Sequence, residues 1–242
     1  MANTAGLINK PSIDSFLKLV RARRSVRTGY LEDVAVPDEY VMKIIEAGRW
    51  APSGGNGQPW EFIVIRNRLL RYKIAELFQK QLLQKGEIQS ASGKPGNFSS
   101  GSGFKNAPVY IVVLGDPRVW RSYPIRTALE KSESHFYSEL ANACMLMMLA
   151  AETLGLSTQW LSDVSSPWFS VMLKELLQIP EQLHVYHLIP VGFSNNRPEA
   201  HYRRPIDEMI HFDKYDMAKY RTDDQFDRFV NDHTRRSKEY KI

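Results

Sequence analysis

The chain has 242 residues, 43% of them hydrophobic, with 32 basic against 27 acidic side chains and one cysteine, Cys144. That length can bury a full core; a net charge of +5 is too small a surplus to call for nucleic acid, and a lone cysteine excludes an intrachain disulfide and fits a reducing compartment. The longest apolar run, Ala143 to Ala151, falls far short of the roughly 20 residues of a membrane span, and the first residues lack a basic end before an apolar block, so the expectation is a cytoplasmic chain with no signal peptide and no membrane segment.

Ser12 can cap a first helix whose Ile13, Phe16, Leu17 and Val20 share one apolar face, and Arg21, Arg23, Arg24 and Arg27 crowd its end. After a turn at Thr28-Gly29, Pro37 can start a second helix with Val41, Ile44 and Ile45 inward. "APSGGNGQPW" (51–60) breaks that pattern, and "EFIVI" (61–65) reads as a strand. A helix is expected over roughly 69–84. The Gly/Ser-rich stretch 85–108 reads as a long loop, either a mobile lid or an unstructured insertion.

"VYIVVLG" (109–115) is apolar on both faces, as a buried central strand would be. The segment 135–156 is apolar nearly all round beyond Leu140, which predicts a helix buried on every side or shared with a second subunit. "TQWLSDV" can form another strand, and Ser166-Pro167 can start a helix carrying Phe169, Met172, Leu173, Leu176 and Leu177 on one face. "HVYHLIPVGF" (184–193) reads as a last core strand. From Asn195 onward the chain is charged and turn-rich with scattered aromatics, too polar for a core of its own. The predicted whole is one α+β domain over 1–242 with an extended C-terminal arm at 207–242.

Two stretches carry chemistry. Four guanidiniums and the Ser25 hydroxyl in "RARRSVR" (21–27) suit a dianionic phosphate, because arginine meets phosphate oxygens with paired N–H donors. The competing reading is a basic helix end favoured by the helix dipole alone. "APSGGNGQPW" offers close backbone approach to a flat ligand, with Ser53, Asn56 and Gln58 as neutral donors and acceptors; it also reads as a plain turn. It is neither a dinucleotide fingerprint nor a Walker loop. His184 and His187, three apart on a strand, point to opposite faces and cannot share a metal, and the other histidines read as core or surface, so no metal site is expected. Cys144 reads as a buried, inert thiol. From Arg197 onward eleven Lys/Arg face ten Asp/Glu, which gives no continuous basic stripe for nucleic acid.

"RRSVR" (23–27), "APSGGNGQPWEFIVI" (51–65), "IPVGF" (189–193) and "YRRP" (202–205), in this order and spacing, resemble the nitroreductase family of flavoproteins over about Phe16 to Ile210. The resemblance implies an α+β fold with a mixed central β-sheet flanked by helices, and an intertwined homodimer with FMN at its interface. It places Arg23, Arg24, Ser25 and Arg27 at the FMN phosphate and ribityl chain, joined by Arg203 with Arg204 beside it. Pro52, Ser53, Gly54 and Asn56 lie against the isoalloxazine ring, from the same or the other subunit. Trp160, Leu161 and Ser162 stand at the flavin N5 and pyrimidine edge through backbone N–H groups.

The activity implied is hydride transfer from NAD(P)H through flavin N5 to a small electron-poor acceptor, a nitroaromatic or a quinone, with no catalytic side chain demanded. Relatives in the fold run other flavin reactions, reductive dehalogenation of iodotyrosine and oxygen-dependent flavin fragmentation. The Glu-Tyr-Lys set of the dehalogenases is not legible in 85–135. A non-catalytic flavin-binding protein is a further alternative.

Overall fold

The computed structural model describes residues 12–92 and 102–234. Its chain order is α1 (Ile13–Ala22), α2 (Asp38–Arg49), β1 (Trp60–Ile65), α3 (Arg68–Ala91), β2 (Val109–Gly115), α4 (Ile125–Glu130), α5 (Ser132–Thr153), β3 (Ser157–Thr158), α6 (Pro167–Leu177), β4 (His184–Gly192) and α7 (Asp223–His233). The chain divides into two compact units, one of residues 1–81 and 101–198, the other of residues 82–100 and 199–242.

In the first unit four strands form one sheet in the order β1-β2-β4-β3, every ladder antiparallel. The expected mixed sheet keeps one parallel element among the described residues, a single bridge from Ser25 to Thr158. β2 lies inside the sheet with both faces covered, so all seven of its residues are buried and its apolar run is unbroken. Val109, Ile111 and Val113 point to the face where Val41 and Ile44 of α2 meet Cys144, Met147, Met148 and Ala151 of α5. On the opposite face Tyr110 meets Phe104, and Phe78 of α3 packs edge-on against Phe104 and against Phe169 of α6 at centroid distances of 5.2 and 5.9 Å. Each such fully buried side chain contributes about 1.5–3 kcal/mol.

Local chemistry sets the helix bounds. α2 begins after Pro37, with Asp38 and Glu39 in its first turn and Arg49 in its last, each sign complementing the helix dipole. α6 ends at Gln178, whose left-handed φ of 54° lets the Ile179 N–H return to the Lys174 carbonyl.

Several expectations are corrected. α3 runs to Ala91, so the expected loop from 85 begins as helix; its middle, 93–101, lies outside the described residues, and at its far end Phe104 is 2% exposed. α5 buries Ala143, Cys144, Met147, Met148 and Ala151 but leaves Met145 exposed, so among the described residues it is not covered on every side, which leaves the alternative of a helix shared with a second subunit. "TQWLSDV" forms a strand only at its start: β3 has two residues, Leu161 adds one bridge to Leu188, and a 3-10 turn follows at Asp163–Ser165. The apolar face of α1 (Ile13, Phe16, Leu17 and Val20) is exposed, and Ser12 makes no side-chain cap.

In the second unit α7 starts in a capping box, with Thr222 and Gln225 each satisfying the other's backbone N–H. Arg221 lies over the Phe226 and Phe229 rings at 5.2 and 5.1 Å, and Tyr202 stacks on His233 at 3.9 Å. No side chain from 199 to 234 is fully buried, as its polarity predicts.

Candidate functional site

The arginine segment begins as the end of a helix. The Arg23 N–H still bonds to the Leu19 carbonyl, and α1 stops there. Its terminal carbonyls are satisfied by two guanidiniums. Arg24 Nη1 donates to the carbonyls of Arg21, Ala22 and Arg23, and Arg197 donates to Ala22 and to the carboxylate of Glu152. Cations at a helix C-terminus are stabilised by the dipole and by the orphan carbonyls. Arg24 thus caps the helix end through Nη1, the competing reading for a basic helix end, while its Nε is buried with no hydrogen-bond partner. Arg197 is a residue that sequence reasoning passed over.

Beyond the cap the chain becomes extended and joins the sheet. Ser25 bridges Thr158, the Val26 N–H reaches the Thr158 carbonyl at 2.8 Å, and the Leu31 N–H reaches the Phe193 carbonyl at 2.9 Å. Val26 is 3% exposed and its carbonyl accepts from the Tyr30 hydroxyl. Extended backbone alternates its side chains, so burying Val26 turns Ser25 and Arg27 to the other side; both are half-buried, as is Arg23.

The same edge carries the 158–162 stretch. Leu161 exchanges both backbone hydrogen bonds with Leu188 at 3.2 Å, so its amide is spent inside the sheet. That bond competes with its expected role as an N–H donor to a ligand. The Trp160 ring packs against His187 at 4.4 Å, and Ser162 leads into the 3-10 turn. Gln159 Oε1 is buried with no hydrogen-bond partner.

β4 carries a bulge here: Val113 faces His187 and Leu114 faces Val185, so Tyr186 is the extra residue. The bulge stacks the Tyr186 and His187 rings at 4.0 Å. Burial, partly offset by a backbone hydrogen bond at Tyr186, pulls the His187 imidazole down to about 4. Its Nδ1 has no partner and it is neutral at ordinary pH.

The glycine loop is anchored elsewhere in this unit. Gly55, Asn56 and Gln58 have φ of 57°, 55° and 48°, three left-handed residues among four, a strained arrangement of the kind found at ligand clamps. A Cβ on Gly57 would come within 2.1 Å of Val119 Cγ2, so the loop closes on the 117–123 segment only because that side chain is missing. Pro52, Ser53, Gly54 and Asn56 are exposed or half-buried. Beneath them the Gly54 N–H donates to Glu139 Oε1 at 2.7 Å, and the Tyr123 hydroxyl donates to the same oxygen at 2.9 Å. Glu139 is 3% exposed. Burial, and then the Glu139 carboxylate, push the Tyr123 phenol far above its ordinary value. Glu139 and Tyr123 were not expected at the site, although a signal existed: Glu139 is the one acidic side chain between His135 and Ala151.

Arg203 lies in the second unit, where its Nη1 donates to the carbonyls of His201 and Tyr202; Arg204 pairs with Glu208. Among the described residues no three His, Cys, Asp or Glu side chains gather as a metal site, and no helix is long and apolar enough to cross a membrane.

The sequence profile of the Nitroreductase family matches residues 20–193. An Archaeoglobus fulgidus protein named as an NADH dehydrogenase/NAD(P)H nitroreductase is 29% identical over 187 residues, covering 77% of this chain and 90% of its own. The iodotyrosine deiodinase of Hydra vulgaris is 28% identical over 216 residues, covering 84% of this chain and 75% of its own. Among solved structures, a Desulfovibrio desulfuricans protein described as a nitroreductase in complex with FMN is similar with a TM-score of 0.57 and 28% identity, over 83% of this chain and 97% of its own.

Proposed function

The chain belongs to the nitroreductase family, and from that premise we propose that it is an FMN-dependent oxidoreductase passing hydride from NADH or NADPH to a small electron-poor acceptor such as a nitroaromatic or a quinone. One observation carries the reading: the Arg23–Arg27 segment and the 158–162 stretch, far apart in sequence, share one sheet edge through the 2.8 Å bond from Val26 to Thr158. The donor set fits FMN. Guanidinium and hydroxyl groups match a phosphate ester, and Gln159 Oε1, on the residue after Thr158, is a buried acceptor with no partner.

Arg23, Ser25 and Arg27 would hold the phosphate and ribityl chain. Pro52, Ser53, Gly54 and Asn56 would lie against the ring system, and the amides of Trp160 and Ser162 would face its edge. When bound, FMN supplies two-electron hydride chemistry. The protein orients the rings, excludes water, and sets positive charge near the anionic groups; no side chain need act as nucleophile or general acid. A homodimer accounts for apolar surface otherwise left in water, namely the α1 face together with Trp50 (73% exposed) and Met145 (42%).

The Hydra relative supports a second reading, reductive dehalogenation of an aromatic amino acid by the same flavin. One experiment separates these. Apo-protein is titrated with FMN, then the yellow complex is mixed anaerobically with NADH or NADPH and offered a nitroaromatic, a quinone or a halotyrosine. Bleaching by nicotinamide and recovery with nitroaromatic or quinone is the expected result. Recovery with halotyrosine alone selects the second reading, and a protein that binds no FMN ends both.

A further inference from the structure

We propose that Glu139 is the positioning residue for the flavin loop: one buried carboxylate oxygen ties Gly54 and Tyr123 together and so fixes residues 53–58 against the segment 117–123. The inference rests on the FMN reading for its purpose, but the tether itself is a property of the chain alone.

A carboxylate with 3% exposure is costly unless it is hydrogen-bonded. Here the satisfaction is lopsided. Oε1 takes the Gly54 N–H and the Tyr123 hydroxyl, whereas Oε2 is buried and has no partner. Both donors therefore hold one charged acceptor, and charge-assisted bonds are roughly twice as strong as neutral ones. The loop needs such a hold, because its left-handed non-glycine residues Asn56 and Gln58 persist only where the surroundings over-determine them.

The anchor is also rigid. Glu139 sits on α5 one residue before Leu140, which is fully buried with Phe136, Tyr123 and Val119 in a cluster under the loop. A site is held most closely when its support comes from a packed helix rather than from another loop. Tyr123 extends the effect, since it joins the 117–123 segment to the same oxygen. A displacement on either side of Glu139 is felt on the other.

The test compares Glu139→Ala, Glu139→Gln and Tyr123→Phe with the parent protein, reading the Gly54 amide exchange rate in apo-protein and the FMN dissociation constant. Loss of a bond to a buried charged acceptor speeds Gly54 exchange and weakens FMN by at least about tenfold in Glu139→Ala, with β2 amides unchanged as the control. Glu139→Gln keeps an acceptor oxygen but loses the charge, so both readouts fall between those of the parent and of Glu139→Ala. Tyr123→Phe, which serves if Glu139→Ala fails to fold, loosens both readouts to a smaller degree. Unchanged Gly54 exchange in a folded Glu139→Ala or in Tyr123→Phe overturns the tether. Faster exchange with unchanged FMN affinity overturns the positioning role. If the parent protein binds no FMN, the proposed function falls, the positioning role falls with it, and the exchange rates still decide the tether.

Discussion

Lowering the pH should destabilise this protein through His187 before ordinary carboxylates begin to protonate. Burial at 6% exposure pulls the imidazole from 6.5 to about 4, against a partly opposing backbone hydrogen bond. The folded value is the depressed one, so between these pH values the unfolded chain binds more protons. Stability is thus complete above about pH 6.5 and drains away as pH falls toward 4. At pH 5 the unfolded state holds about 0.9 proton more than the folded state, and the loss relative to pH 7.5 is about 2 kcal/mol. Near pH 4 it approaches about 3 kcal/mol. Denaturant titrations across this range, paired with calorimetry at pH 5 in two buffers of different ionisation enthalpy, measure the slope and the proton uptake. His187→Phe removes the titration and keeps a ring against Trp160 and Tyr186. Equal proton uptake by parent and variant, or parallel stability curves, would refute the argument.

Gly57→Ala places a methyl where Val119 Cγ2 stands, so it should lower stability by about 1–3 kcal/mol and weaken FMN binding, read by thermal unfolding and flavin titration; an unshifted midpoint contradicts the close approach. Arg24→Ala removes the α1 cap and should cost about 1 kcal/mol with little change in FMN affinity, whereas Arg27→Ala should do the reverse; equal effects on affinity would return Arg24 to the phosphate cluster. Burial pushes the Cys144 thiol up to about 12, so a disulfide reagent should react with it only after unfolding; rapid reaction of the native protein would show the helix to be open there.

Much of this fold is legible in single segments. β2 shows as seven consecutive apolar residues because a doubly covered strand has no polar face to display, and α5 shows through the run ending at Ala151. Elements governed by distant partners are not. Trp160 to Val164 has strand composition, yet only Leu161 finds a sheet neighbour before Ser162 turns away. The apolar stripe of α1 declares a helix but not what should cover it.

For the site, the arginines and the glycines are visible by type, but their duties are not. A guanidinium near a helix end serves a ligand or a carbonyl equally well, and residue type alone does not say which. The Gly54–Glu139 bond spans 85 residues, beyond the reach of any spacing rule.

The strand order also sets a timetable. β4 is the latest strand in the chain, yet it sits between β2 and β3, and Leu31 takes its partner from Phe193 just beyond it. A nascent polypeptide leaving the ribosome therefore carries its arginines for most of its synthesis with no edge to lie upon. Contacts of such long sequence separation slow folding, so capacity to capture flavin should emerge abruptly once residues 184–193 clear the exit tunnel, rather than growing with length.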